Sequence, residues 1–140
     1  MVEETQPSVE DVIAVAEFRS ALRHFLRRSE KVARQSGLTP QRYTLLMMIK
    51  GAPGGDEQST VTELAERLQL AQSTVTELVR RAETAGLIER EQSQRDARVA
   101  HLRLTTEGER RLMLSFTALE TERAQLREAF ASLEGGVAGH

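Results

Sequence analysis

The sequence contains 140 residues, of which 39% are hydrophobic and 29% are charged. This length and composition predict an ordered protein of one or two cooperative units and exclude a largely disordered chain. The absence of cysteine excludes disulfides and thiolate metal sites. No apolar run approaches the ~20 residues that a membrane helix needs, and the acidic first segment is unlike a signal peptide. We therefore expect a cytoplasmic protein without a membrane partner.

The net charge of −2 is unevenly distributed along the chain. Residues 1–17 sum to −5, residues 18–50 to +7, residues 51–79 to −4, residues 80–111 to +2 and residues 112–140 to −2. A chain with this balance is not expected to coat nucleic acid or anionic membranes. Any contact with nucleic acid must therefore be local.

Long amphipathic helices are predicted near both ends of the chain. Ser8 is placed to cap the amide of Asp11, and apolar residues then recur at helical spacing until Gly37. A second helix is predicted from Thr105 to Gly135, after which the tail to His140 should be frayed. Two stripes of ~28 residues carry more apolar surface than one small domain can cover. A homodimer is therefore expected, with an interface that includes Val12, Val15, Leu22, Leu119, Leu126, Phe130 and Leu133.

The middle of the chain has the pattern of a helix-turn-helix. Thr39 and Pro40 form an N-cap and first-turn signal, and the segment from Thr60 to Glu63 has the pattern of a capping box. Three residues, Gln69-Leu70-Ala71, separate this short helix from a second amphipathic helix that ends at Gly86.

A change to period two after Gly86 predicts two strands, 87–90 and 100–104, around a polar tip at 91–97. The predicted fold is mainly α with a small β-wing: a winged helix-turn-helix flanked by long N- and C-terminal dimerisation helices. The predicted domains are an N-terminal dimerisation region at residues 1–37, a winged helix-turn-helix DNA-binding domain at 38–105, and a C-terminal dimerisation helix and tail at 106–140.

An ordered set of short motifs resembles the multiple antibiotic resistance regulator (MarR) family. The motifs are Ser73-Thr74-Val75-Thr76-Glu77-Leu78-Val79-Arg80-Arg81, Ala85-Gly86-Leu87-Ile88-Glu89-Arg90, Asp96-Ala97-Arg98 and Leu104-Thr105 with Gly108. The resemblance covers about residues 10–133. It implies a homodimeric transcriptional regulator that binds a pseudo-palindromic operator in double-stranded DNA, acts as a repressor and is released by a small aromatic or phenolic effector. Two departures are Ala71, where the family often has a capping Ser or Thr, and Ala97, where it commonly has Arg.

In a winged helix the second helix fits the major groove and the hairpin tip enters the minor groove. Asp96 is spaced to hold Arg98 extended for that role, and the alternative is a solvated turn ion pair. Glu77 can accept a hydrogen bond from a cytosine amine but would repel phosphate, which predicts weak nonspecific binding. Arg90 is a further phosphate or base candidate. The DNA-binding residues are predicted to be Gln72, Ser73, Thr74, Thr76, Arg80, Arg81, Arg95, Asp96 and Arg98.

Other site chemistries have little support in the sequence. No catalytic or nucleotide-binding motif appears, and His24, His101 and His140 have no ligands at metal-binding spacing, so we expect no enzyme, metal or cofactor. If an effector pocket exists, its nearest polar anchors are Arg19, Arg23, His24, Arg42 and Tyr43; the preferred alternative is that these residues form surface or intersubunit ion pairs. The competing function is a winged-helix protein-interaction module without DNA binding, favoured by the overall charge of −2 and by the acids among the bases at Glu77, Glu83, Glu89 and Glu91.

Overall fold

The computed structural model describes residues 6–138. Within that range the chain forms two compact units: one is Ala33–Thr117, and the other combines residues 6–32 with residues 118–138. The elements, in chain order, are α1 (Val9–Gln35), α2 (Pro40–Lys50), α3 (Val61–Leu68), α4 (Gln72–Thr84), β1 (Ile88–Gln92), β2 (Ala100–Leu104), α5 (Thr106–Ala118) and α6 (Glu120–Ala138). This order confirms the predicted, mainly helical fold with a small β-wing.

Three helix starts are fixed by the local chemistry that the sequence predicts. The Ser8 hydroxyl accepts a hydrogen bond from the amide of Asp11 at 3.2 Å before α1 begins. The Thr39 hydroxyl accepts one from the amide of Arg42 at 3.1 Å, next to Pro40. Before α3, Thr60 and Glu63 form a reciprocal capping box. These caps satisfy backbone N–H groups that a helix start otherwise leaves unpaired.

The winged unit is organised around one apolar core that its helices and hairpin share. Leu45, Leu46 and Ile49 of α2 have no exposed surface, and neither do Leu64 of α3 and Leu102 of β2. Arg67 of α3 donates to the carbonyl of Met48 at 2.7 Å, which ties α3 to the end of α2. Burial of this apolar surface is the main force holding the unit together.

The wing is a two-stranded antiparallel hairpin. Its register pairs Ile88 with Leu104 at the base and Gln92 with Ala100 near the tip. Ser59, in the segment that leads to α3, forms an isolated bridge with Leu102 of β2. Ser59 N donates to Leu102 O at 3.1 Å, and Leu102 N donates to Ser59 O at 2.8 Å. Main-chain hydrogen bonds therefore connect the wing to the start of the helix-turn-helix.

Glycine is required at two points around the base of the wing. Gly86 ends α4 with a φ of +75°, as predicted, a left-handed conformation that glycine adopts without steric cost. Gly108 lies in the first turn of α5, where a Cβ atom would be 2.1 Å from the carbonyl oxygen of Leu87. The same contact region contains a hydrogen bond from Thr105 N to Leu87 O at 3.0 Å. Thr105 and Gly108 thus contact the same carbonyl oxygen: Thr105 donates a hydrogen bond to it, and Gly108 leaves room for it.

The predicted single C-terminal helix is wrong, because the helix is interrupted at Leu119. Leu119 has no exposed surface, and its carbonyl accepts from Arg123 N at 2.9 Å, which opens α6. Glu120 and Glu122 lie in the first turn of α6, where acids interact favourably with the helix dipole. Because Leu119 is fully buried, it supports the fold and is not available for the dimer interface to which the sequence assigned it.

Two other boundaries also differ from the predictions. α6 continues through Gly135 to Ala138, because a glycine only weakens a helix by about 1 kcal/mol; His140 lies outside the described residues. β1 extends to Gln92 rather than ending at Arg90, since the pairing of Gln92 with Ala100 continues the ladder.

In the unit formed by the terminal segments, α1 lies against α6. The rings of Phe18 and Phe130 are 6.0 Å apart, and Arg28 Nε is 3.5 Å from a carboxylate oxygen of Glu122. Apolar side chains nevertheless remain exposed on both helices, including Val12 at 60% and Phe130 at 47%. None of the described helices is both long and apolar enough to cross a membrane.

Candidate nucleic-acid interface

The first turns of α4 present an uncharged polar face. Gln72, Ser73, Thr74 and Thr76 are all exposed, while Val75 on the opposite side is fully buried. The N-cap of α4 is Ala71, and no side chain caps the helix. Uncapped N–H groups at a helix start favour anions such as phosphate.

Both arginines of α4 are ion-paired with Glu77 on the same helix. Arg80 donates to the two carboxylate oxygens of Glu77 at 2.9 Å and 2.5 Å, and Arg81 Nε donates at 3.1 Å. These hydrogen bonds, chiefly those from Arg80, lower the pKa of Glu77 to about 2. Glu77 is therefore ionised at neutral pH, and the predicted repulsion of phosphate is partly compensated within the helix.

Arg90 of β1 forms a similar pair with α4. Its Nε and Nη2 atoms donate to the carboxylate of Glu83 at 3.2 Å and 2.6 Å, and this hydrogen bonding raises the pKa of Arg90. The contact joins the base of the wing to the end of α4. Arg90 thus has a structural partner in addition to its predicted role toward DNA.

At the wing tip Asp96 contacts Arg98, which fits both the predicted positioning role and the alternative of a solvated turn ion pair. An Asp96 carboxylate oxygen accepts from the backbone N of Arg98 at 3.0 Å and from its side-chain Nε at 3.3 Å. The Arg98 side chain nevertheless remains 90% exposed. The tip is braced from within, because the Ser93 hydroxyl accepts from the amides of Arg95 and Asp96. Arg95 itself is exposed.

A groove of about 510 Å³ lies between the start of α3, α4 and the wing. It brings together four of the candidate residues, namely Gln72, Thr76, Arg90 and Arg98. Ser73, Thr74, Arg80, Arg81, Arg95 and Asp96 do not line it. Thr62 of α3 does line the groove and was not among the predicted site residues; its hydroxyl accepts from Gln72 Nε2 at 3.4 Å. The available signal was its position inside the capping box, between Thr60 and Glu63 in the first turn of α3.

The residues predicted to anchor an effector are not gathered at one place. His24 lines a cavity of about 280 Å³ in the terminal-segment unit, together with Glu17 and Glu122. Arg19 and Arg23 are exposed and do not line this cavity. In the winged unit, Tyr43 is buried with 5% of its surface exposed, and Arg42 is half-buried. Among residues 6–138 no group of three or more His, Asp or Glu side chains is placed to hold a metal ion.

Comparison with known proteins gives the same fold throughout. A sequence model of the MarR family matches residues 36–99. A crystal structure of a MarR family transcription regulator is 24% identical, covers 91% of this chain and 82% of its own, and superimposes with a TM-score of 0.69. No curated protein matches the sequence.

Two similar structures contain DNA. A mutant of S. aureus MepR bound to an oligodeoxyribonucleotide is 20% identical, covers 86% of this chain and 94% of its own, and has a TM-score of 0.63. A mutant of MarR from E. coli complexed with operator DNA is 18% identical, covers 95% of this chain and 98% of its own, and has a TM-score of 0.68. At these identities the likeness concerns the fold. Together with the family-model match over residues 36–99, it makes the helix-turn-helix and the first strand of the wing similar to those of MarR family transcription regulators.

Proposed function

We propose that this chain is a homodimeric, DNA-binding transcriptional regulator. The observation that carries the proposal is the pairing of an exposed polar α4 with a wing whose tip carries a largely exposed arginine in contact with Asp96, on two sides of one groove. A helix of this kind fits the major groove, and an arginine at a wing tip fits the narrow minor groove. Two relatives with the same fold bind DNA, which supports this assignment. Such a protein would work in the cytoplasm.

The homodimer is supported by apolar surface that this chain leaves uncovered. On α1, Val9, Val12 and Ile13 are 69%, 60% and 50% exposed, and Phe130 on α6 is 47% exposed. Leu22, Leu126 and Leu133 are half-buried on the same helices. Exposed apolar residues in this number favour association, and a two-fold dimer would present two α4 helices to a pseudo-palindromic operator. Light scattering of the purified protein tests this, and a stable monomer would refute it.

The DNA-binding test uses Arg98→Ala, with Arg110→Ala as the control. Arg110 is an exposed arginine of α5 that is paired with Glu107, so its removal makes the same change of charge away from the proposed interface. Arg98→Ala should weaken operator binding by about 5- to 150-fold, or ~1–3 kcal/mol, and leave the dimer intact. Equal affinities of the two variants in fluorescence anisotropy titrations would contradict the assignment of the wing.

We further propose that the protein is a repressor that a small aromatic or phenolic molecule releases from DNA, by favouring a dimer that cannot bind both half-sites. The cavity at His24 is the place to test first. Addition of 4-hydroxybenzoate should lower operator affinity in the wild type and less so in His24→Ala. An equal response of both proteins would remove His24 from the proposal.

The alternative of a protein-interaction module has less support from its acids than the sequence indicated. It rested partly on Glu77, Glu83, Glu89 and Glu91, yet three of these four acids are ion-paired within the chain: Glu77 with Arg80 and Arg81, Glu83 with Arg90, and Glu91 with Arg103. A basic partner protein would have to compete with these ion pairs for the acids.

A further inference from the structure

The helix proposed to read DNA carries no net charge. Residues 72–84 contain two acids, Glu77 and Glu83, and two bases, Arg80 and Arg81. Both acids are engaged in ion pairs, one within the helix and one with Arg90 of the wing. The phosphate backbone attracts proteins mainly through positive charge. A helix that contacts DNA is therefore expected to be basic, and the neutrality of α4 needs an explanation.

Glu77 is central to this neutrality because it binds both arginines at once. Its carboxylate is reached by Arg80 at 2.5 Å and by Arg81 at 3.1 Å. The Arg80 and Arg81 side chains are largely exposed, at 65% and 59%, and the Glu77 side chain is half-exposed at 44%. Glutamine has nearly the shape of glutamate without its charge, so the variant Glu77→Gln isolates the effect of the charge.

We infer that Glu77 is a specificity-determining residue, which holds Arg80 and Arg81 in ion pairs that compete with DNA phosphate. This inference rests on the proposed DNA-binding function. On an unrelated duplex, each arginine must leave the carboxylate to reach a phosphate, and the freed carboxylate then faces a negative backbone. On the operator, the carboxylate accepts from the amino group of a cytosine while an arginine contacts guanine. On the operator, base contacts therefore replace the ion pairs of Glu77. On an unrelated duplex the ion pairs are lost and the carboxylate gains no new partner.

The size of the effect follows from counterion release. If removal of the Glu77 charge allows one more phosphate contact per subunit, the slope of log affinity against log salt steepens by about 0.9 per subunit, or about 1.8 per dimer. At 0.1 M salt the same relation gives a gain of about eightfold in nonspecific affinity for each added contact. Operator affinity gains less, because the cytosine contact is lost, so the ratio of specific to nonspecific affinity falls.

The chain provides a matched control on α5. Glu107 accepts from Arg110 at 2.6 Å and from Arg111 at 2.8 Å, with the same three- and four-residue spacing as the Glu77 cluster. The pKa of Glu107 is likewise lowered to about 2, chiefly by its hydrogen bonds from Arg110. Glu107→Gln therefore removes the same charge and the same helical ion pairs as Glu77→Gln, at a site outside α4 and the wing.

The experiment compares four full-length proteins: wild type, Glu77→Gln, Glu107→Gln and the double variant Glu77→Gln with Arg81→Gln. Fluorescence anisotropy measures binding to the tightest duplex recovered by in vitro selection with the wild type, and to a scrambled duplex of equal length, between 50 and 200 mM KCl. Circular dichroism confirms that each variant is folded. We expect Glu77→Gln to bind the scrambled duplex about eightfold or more tightly with a steeper salt slope, Glu107→Gln to match the wild type, and the double variant to return toward the wild type.

The outcomes separate this inference from the proposed function. If the wild type enriches no duplex, DNA binding itself is refuted. If the wild type prefers its selected duplex but Glu77→Gln leaves the nonspecific affinity and the salt slope unchanged, Glu77 has no role in specificity. An equal gain in Glu107→Gln would also overturn the inference, because the effect would then come from total charge rather than from α4.

Discussion

Gly108→Ala tests the contact on which the base of the wing depends. The new Cβ atom would lie 2.1 Å from the carbonyl oxygen of Leu87, more than an ångström inside normal contact, and its neighbour there is main chain. To relieve the clash, the first turn of α5 must move away from Leu87. That movement strains or breaks the hydrogen bonds from Thr105 N to Leu87 O at 3.0 Å and from the Thr105 hydroxyl to Gly86 O at 2.6 Å.

The expected loss of stability can be built from these parts. Overpacking of this kind costs ~1–3 kcal/mol and each weakened hydrogen bond about 1 kcal/mol, while replacing glycine by alanine inside a helix returns up to about 1 kcal/mol. The net loss should be about 2–4 kcal/mol, or a fall of roughly 6–12 °C in Tm for a chain of this size. The assay is thermal unfolding followed by circular dichroism at one fixed protein concentration.

Gly135→Ala is the matched control for this prediction. Gly135 lies in α6, and a Cβ atom there would meet nothing within 4 Å. This variant should keep or raise the Tm, because alanine has a higher helix propensity than glycine and the new Cβ atom meets no clash. If Gly108→Ala were as stable as Gly135→Ala, the reasoning from the close approach of α5 to Leu87 would be refuted.

Three further predictions concern the wing, a helix cap and pH. Asp96→Ala should weaken operator binding less than Arg98→Ala does, because the arginine remains but is no longer held by the carboxylate; anisotropy titrations that show no loss would contradict a positioning role. Thr60→Ala should lower the free energy of unfolding by about 1 kcal/mol through loss of the α3 capping box, whereas Thr60→Ser should not; equal urea midpoints for the two variants would count against the cap. Because Arg110 and Arg111 lower the pKa of Glu107 to about 2, its ionised form stabilises the fold above pH ~4.5, and this contribution is lost as the pH falls toward 2. Glu107→Gln should therefore flatten the dependence of unfolding free energy on pH in that window, and curves of the same shape for both proteins would exclude the effect.

The features that follow from local chemistry could be predicted from the sequence. The caps at Ser8, Thr39 and Thr60 and the left-handed Gly86 depend on residues close to one another in the chain, so their spacing alone specifies them. The pairing of Arg98 with Asp96 is of the same kind. The paired state of Glu77 was also within reach, since residues three and four apart on a helix face each other.

The remaining features depend on tertiary packing. Leu119 fits the apolar seam of a continuous helix, and periodicity does not distinguish a residue exposed on that seam from one buried where the helix breaks. The groove that joins Thr62 to Gln72 and Arg98 exists only once α3, α4 and the wing are assembled. The effector residues differ in burial, from exposed Arg19 to buried Tyr43, and sequence spacing carries little information about that difference.

The bridge between Ser59 and Leu102 has a consequence for how binding preference can change in evolution. These two residues exchange main-chain hydrogen bonds in both directions, so the distance from the approach to α3 to the wing is set without any side chain. Substitutions at Gln72 or Thr76 can therefore alter which bases are contacted, while the distance between the wing and the segment before α3 stays the same. Position 59 should not accept proline, because proline lacks the backbone N–H that Ser59 donates to Leu102 O.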